Sequence, residues 1–171
     1  MKRACVIVCL GLLSLVACNT NNYEQNRMQQ HQDSVITWLH NYIDEIWNRR
    51  DFSKADTYWG PDFRNVFAPQ LPTGPEAMKQ QVAYFLNAFE PFHFEVKDIM
   101  VQGDKVAMWI EISGTHTGEL FGIKPTHKKV KFREAVWYKM KDGKLDEVYP
   151  FVDWNDLFEQ LGQYPALEKT K

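Results

Sequence analysis

The sequence is poor in the groups that several functional classes need. Its three cysteines stand at positions 5, 9 and 18, so residues 19–171 hold no thiol, which excludes a disulfide framework and a cysteine nucleophile from that stretch. Basic residues are not in excess: 20 Lys and Arg stand against 22 Asp and Glu, a formal net charge of −2. Nucleic acid is therefore excluded as a partner, because binding its phosphates requires a basic face. The longest apolar run, Ala4 to Ala17, covers 14 residues, short of the roughly 20 that a membrane-spanning helix needs. His93, His116 and His127 lie 23 and 11 residues apart, without the close pairing that metal ligation uses. There is no glycine-rich phosphate loop, dinucleotide-binding glycine pattern or serine nucleophile motif, and neither a metal nor an organic cofactor is expected.

What is present is core material. The 171 residues are 44% hydrophobic and 14% aromatic, enough for one globular domain. Ahead of it, Lys2, Arg3 and the apolar run have the layout of an export signal. That run ends in "LVAC", Leu15 to Cys18, which resembles the bacterial lipoprotein signal box. The resemblance implies cleavage after Ala17, acylation of Cys18 by chains such as palmitate, and a protein held on a membrane of the bacterial cell envelope. Asn19, where an Asp would mark retention, points to the outer membrane. The alternative is an ordinary secretory signal with an incidental cysteine. Without Lys2 and Arg3, 18 basic residues face 22 acidic ones, a formal charge of −4. The expected organisation is a signal peptide over 1–17, a polar tether over 18–30, the domain over 31–163 and a tail over 164–171.

Inside the domain the apolar period changes once. Val35/Ile36, Trp38/Leu39, Tyr42/Ile43 and Ile46/Trp47 form a stripe of period 3.6, predicting a helix over about 28–50. Ser53 to Trp59 is expected to form a short helix or turn. Thr73 with Glu76 has the spacing of a capping box, and Pro75 suits a first helical turn, predicting a helix over about 75–89. From Phe92 the period is 2: Phe92, Phe94 and Val96, then after a turn Val106, Met108, Ile110 and Ile112, predict two antiparallel strands. A third strand over Lys128 to Met140 and a fourth over Leu145 to Phe151 flank the turn "KDGK". Asp153 or Asn155 is placed to cap a closing helix. The expected class is α+β, three N-terminal helices packed on a curved antiparallel sheet with a short C-terminal helix.

With Asp142-Gly143 as a two-residue turn, regular pairing sets Tyr138 opposite Glu147, Val136 opposite Tyr149 and Glu134 opposite Phe151. Facing residues share a side, so Phe132, Glu134, Val136, Tyr138, Glu147, Tyr149 and Phe151 are expected to line one mostly apolar pocket wall. Arg133 and Trp137 are expected on the other face.

The segment "GTHTGELFGIKPTHKKVKF", Gly114 to Phe132, and the ending "DGKLDEVYPFVDWNDLFEQLG", Asp142 to Gly162, resemble the SnoaL-like polyketide cyclases, or ester cyclases, of the nuclear transport factor 2-like superfamily. "WNRRDF", "PTGPEAMK" and "GDKVAM" agree more weakly. The resemblance implies a conical fold enclosing a cavity, and an aldol-type ring closure run by a carboxylate without metal or cofactor. The substrate it implies is a small hydrophobic carbonyl compound. A carboxyl in apolar surroundings has a raised pKa and becomes an effective base near neutral pH.

Glu147, at a position where these proteins commonly carry an acid, and Glu134 are the candidate catalytic groups. Tyr138 and Tyr149 are candidate hydrogen-bond donors to the ligand. Where such cyclases often carry a histidine or an arginine, this chain has Phe67 and Trp109, so both are expected to line a more aromatic pocket. His116 is either a partner at the pocket mouth or a loop-fixing histidine. Asp153 serves the cap or the chemistry. Sheets of this superfamily often pair back to back, so a homodimer through the sheet is expected, with Arg133 on its surface. A non-catalytic module binding a hydrophobic ligand or a protein partner in the envelope remains the other functional expectation.

Overall fold

A computed structural model describes residues 5–166, with side chains from Tyr23 onward. The side chains around the proposed signal cleavage site, Cys18 included, lie outside what it describes. The chain falls into two compact units, one ending at Thr37 and one beginning at Trp38. The stretch expected to be a tether lies within a helix, α1 (Cys5–Tyr42). On it, in the first unit, Gln29 Nε2 donates to Asp33 at 2.9 Å. Among the described residues no helix is long and apolar enough to cross a membrane.

In the second unit α1 gives way at Tyr42 to a π-helical turn, Ile43–Asn48, marked by the bond from Arg49 N–H to the Asp44 carbonyl at 2.8 Å. The predicted helix therefore ends in a wider coil than its period of 3.6 implied. Next come a single 3₁₀ turn (Phe52–Lys54), a four-residue α2 (Ala55–Tyr58) and α3 (Pro75–Leu86). The expected capping box at α3 does not form. Gly74, at φ 89°, is the N-cap, and no side chain caps the helix. Glu76 instead pairs with Lys79 at 3.2 Å. At the other end of the domain, Asp153 caps α4 (Trp154–Leu161) by accepting from Asp156 N–H at 3.2 Å.

The sheet has five strands rather than four, and it is mixed rather than purely antiparallel. Its order is β1-β5-β4-β3-β2, with β1 (Trp59–Asn65), β2 (Phe89–Gln102), β3 (Lys105–His116), β4 (Lys129–Lys141) and β5 (Lys144–Val152). The unforeseen β1 runs parallel to β5. It carries Pro61, which an edge strand tolerates because its missing N–H leaves no central ladder bond open. The alternation in β3 matches the structure: Val106, Met108, Ile110 and Ile112 are buried against the helices.

The Asp142-Gly143 turn forms as expected, with φ of 52° and 74°, the left-handed pair that a two-residue hairpin needs. The register beyond it differs. Met140 pairs with Leu145, but Lys139 pairs with Glu147, so Asp146 is one extra residue on β5. Past this bulge Tyr138 faces Val148, Val136 faces Pro150 and Glu134 faces Val152. A slip of one residue sends every later side chain to the opposite face. Glu147, Tyr149 and Phe151 therefore leave the expected pocket wall, and Val148, Pro150 and Val152 take their place.

Candidate functional site

The inner face of the sheet and the helices over it line a half-open pocket of about 120 Å³. β4 contributes Glu134 and Tyr138, β5 contributes Val148 and Pro150, and β1 contributes Phe63 and Asn65. α3 supplies Met78, Gln81, Val82 and Phe85, spaced to place one helical face toward the sheet. Tyr42 and Trp47 complete the lining from the end of α1 and the π-helical turn. Residues five apart on an α-helix point roughly 140° apart. The i→i+5 bonding of a π turn brings such a pair toward one side, which accounts for both rings reaching the pocket.

Glu134 is the only ionisable carboxyl in this lining, and no lysine, arginine or histidine accompanies it. It is 8% exposed. Burial alone pushes its carboxyl up to about 7, with no hydrogen bond or opposite charge to hold it down. The Tyr138 hydroxyl is raised well above its ordinary range by burial, then by Tyr42 and by the charge of Glu134. Tyr42 is also raised, chiefly by burial, partly offset by the Trp59 indole, whose Nε1 donates to the Tyr42 hydroxyl at 3.5 Å. Trp47 Nε1 is buried with no hydrogen-bond partner among the described residues. The pocket therefore combines one unpaired carboxyl, two hydroxyls that keep their protons and act on each other, and an indole N–H close to Tyr42 that makes no full hydrogen bond, walled by apolar side chains.

Glu147 belongs to the other face, where it is equally buried at 8%. It pairs with Arg64 of β1 and accepts from the Tyr149 hydroxyl at 2.8 Å. Hydrogen bonding to Glu147 raises Tyr149, so both groups are engaged with each other. Phe67 packs edge-on against Tyr149 and Phe151, with ring centroids 5.9 and 5.0 Å apart. Trp109 lies on the same outer face, beside a groove shared with Met100, Trp137 and Phe151. Of the seven residues expected at the site, Glu134 and Tyr138 share the pocket. Glu147, Tyr149, Phe67 and Trp109 gather on the reverse of the sheet. Arg133 is exposed there too, as expected.

His116 is in neither place. It is fully buried at the end of β3, where its Nδ1 accepts from Thr126 N–H at 3.1 Å, so the proton of the neutral ring sits on Nε2, which has no partner among the described residues. Its backbone carbonyl accepts from His127 N–H at 2.9 Å. Burial first, and then the charge of His127, lower its pKa. The histidine fixes the loop rather than the pocket mouth. In the same loop Thr117 and Gly118 both donate to the Ala88 carbonyl, and a Cβ on Gly118 would lie 2.1 Å from the Asn87 carbonyl oxygen. Only glycine fits that approach.

Sequence reasoning missed Tyr42 and Trp47 as pocket residues, reading them as core members of a helical stripe. Among the described residues no group of three or more His, Cys, Asp or Glu side chains converges on a common centre.

Comparison with known proteins agrees with this architecture. A family model described as SnoaL-like polyketide cyclase matches residues 38–161. The chain is similar to nogalonic acid methyl ester cyclase of Streptomyces nogalater, 28% identical over 111 residues that cover 63% of this chain and 83% of that one. It is also similar to aklanonic acid methyl ester cyclase AcmA of Streptomyces galilaeus, 24% identical over 131 residues, covering 74% and 91%. Among solved structures, TsrD from Streptomyces laurentii shares the fold at a TM-score of 0.72 and 22% identity, over 77% of this chain and 97% of that one.

Proposed function

The chain belongs to the SnoaL-like polyketide cyclase family, and from that premise we propose a cofactor-independent cyclase or isomerase acting on a small hydrophobic carbonyl compound. One observation carries the reading: Glu134 lies unpaired in an apolar pocket with its pKa near 7. A base is most effective when its pKa lies near the working pH. The Glu134 carboxylate takes a proton from the carbon next to the carbonyl, and negative charge moves onto the carbonyl oxygen. Tyr138 and Tyr42, still protonated, donate to that oxygen. In a ring closure the resulting carbanion attacks a second carbonyl, and Glu134 returns its proton to the new alkoxide. The names of the two curated relatives, both methyl ester cyclases, support ring closure as the reaction class. The test is deuterium exchange from solvent into the acidic C–H of a ketone bound by the full chain. Glu134→Gln abolishes it under this reading, and exchange at the wild-type rate in that variant refutes the role.

A lipid-anchored place in the bacterial envelope, on the outer membrane, is part of the same proposal, supported by the "LVAC" box at Leu15 to Cys18. Metabolic labelling with palmitate is expected to mark the wild type and not Cys18→Ala. Label that persists in the variant removes the anchor.

A second reading, a non-catalytic module for a hydrophobic ligand or a protein partner, draws support from the outer face. There Trp109, Trp137 and Phe151 are 45%, 38% and 56% exposed, more apolar surface than a solvated sheet face needs. The partner proposed is a second copy through the sheet. Sedimentation of the wild type as a dimer and of Trp137→Glu as a monomer is the expected result.

A further inference from the structure

The pocket constrains its ligand by volume, by charge and by the placing of its polar atoms. At about 120 Å³ it is slightly smaller than an engineered protein cavity of roughly 150 Å³ that takes up benzene. One six-membered ring fills it. Three fused rings do not fit inside unless two of them project past Asn65 and Gln81, the partly exposed polar members of the lining.

Charge narrows the choice further. The lining contains one carboxyl and no basic side chain. Arg64, the arginine of the neighbouring strand β1, is held by Glu147 on the reverse of the sheet. An anionic ligand would meet Glu134 at short range in apolar surroundings, with nothing to neutralise either charge. The polar groups are also concentrated. Tyr42, Tyr138 and Glu134 act on one another electrostatically, and Trp47 adds an unpartnered N–H, whereas the lining from α3 is mainly Met78, Val82 and Phe85. A ligand matching this has one polar edge carrying an acceptor and an otherwise hydrocarbon body.

We infer that the ligand of this site is an uncharged compound with a single ring inside the pocket and one carbonyl facing Glu134 and the two tyrosines, and that carboxylates of the same size are rejected. The inference rests on the pocket being the functional site, as in the reading above, and fixes the class of substrate that site accepts.

The test compares three probes on the full chain by calorimetry at pH 8: acetophenone, one ring and neutral; benzoate, one ring and anionic; anthrone, three rings and neutral. Acetophenone is expected to bind at least tenfold more tightly than benzoate, and more tightly than anthrone. Glu134→Gln, which removes the pocket's one negative charge, is expected to raise benzoate affinity severalfold. Val82→Trp, which fills the pocket from α3, is expected to weaken acetophenone at least tenfold. Benzoate binding as tightly as acetophenone overturns the charge argument, anthrone binding more tightly overturns the size argument, and no saturable acetophenone binding at millimolar concentration overturns both.

Deuterium exchange into the acetophenone methyl group is read in the same samples. Selective binding without exchange defeats the catalytic reading and leaves the ligand class standing. Exchange accompanied by equal binding of all three probes defeats the ligand class alone.

Discussion

Glu134 and Glu147 sit on opposite faces of one sheet, each 8% exposed, and their surroundings differ in every other respect. Glu134 faces the helices with no partner, and burial alone sets its pKa near 7. Glu147 faces outward beneath Arg64 and Tyr149, which occupy both of its oxygens. Equal burial therefore says little about reactivity, because desolvation and pairing act on a carboxylate in opposite directions. The inner acid has no partner within the protein, and the outer one is tied into the structure.

The largest effect expected is on turnover. Glu134→Gln should lower proton transfer by about 10²–10⁴-fold, read by deuterium exchange into the ketone, whereas Glu147→Gln should leave it within a few-fold. Equal losses in the two variants would erase the distinction between the faces.

The next is a pH dependence of stability. The folded-state pKa of Glu134 lies above its unfolded value of 4.5, so the unfolded chain releases this proton first. The protein therefore loses stability as pH rises from about 4.5 to about 7. The full difference is roughly 3 kcal/mol. Thermal melting against pH should show this slope in the wild type and its loss in Glu134→Gln. Burial of neutral His116 has the opposite sign, lowering stability as pH falls through the histidine range, so His116→Asn isolates the Glu134 slope.

A smaller loss is expected on the outer face. Arg64→Ala leaves Glu147 without its countercharge and should cost about 1–2 kcal/mol in urea unfolding, moderated because the Arg64 side chain is half exposed. Smallest of all, Trp109→Ser should change stability by less than about 0.5 kcal/mol. Its effect should be confined to self-association, measured by sedimentation.

The fold was largely legible because it rests on local patterns. Alternation in β3 and the Asp-Gly turn are each written in a few adjacent residues. The strand β1 was not, because "GPDF" has the composition of a turn and acquires strand character only by pairing with β5. The site was less legible still. Glu134 and Tyr138 were found because they lie on β4, before the chain passes the bulge. Glu147 and Tyr149 were misplaced because the bulge at Asp146 has no compositional mark. Tyr42 and Trp47 were hidden for a similar reason: a π turn has the same apolar pattern as the α-helix it interrupts.

The extra residue at Asp146 has a consequence for how such sites change over generations. Substitution alters one side chain at a time, but loss of this one residue would exchange two sets of side chains at once. Glu147 and Tyr149 would turn toward the cavity, and Val148 and Pro150 would turn out to solvent. A catalytic acid can thus be retired or recruited by an insertion or deletion in a hairpin, with no change in the letters around it.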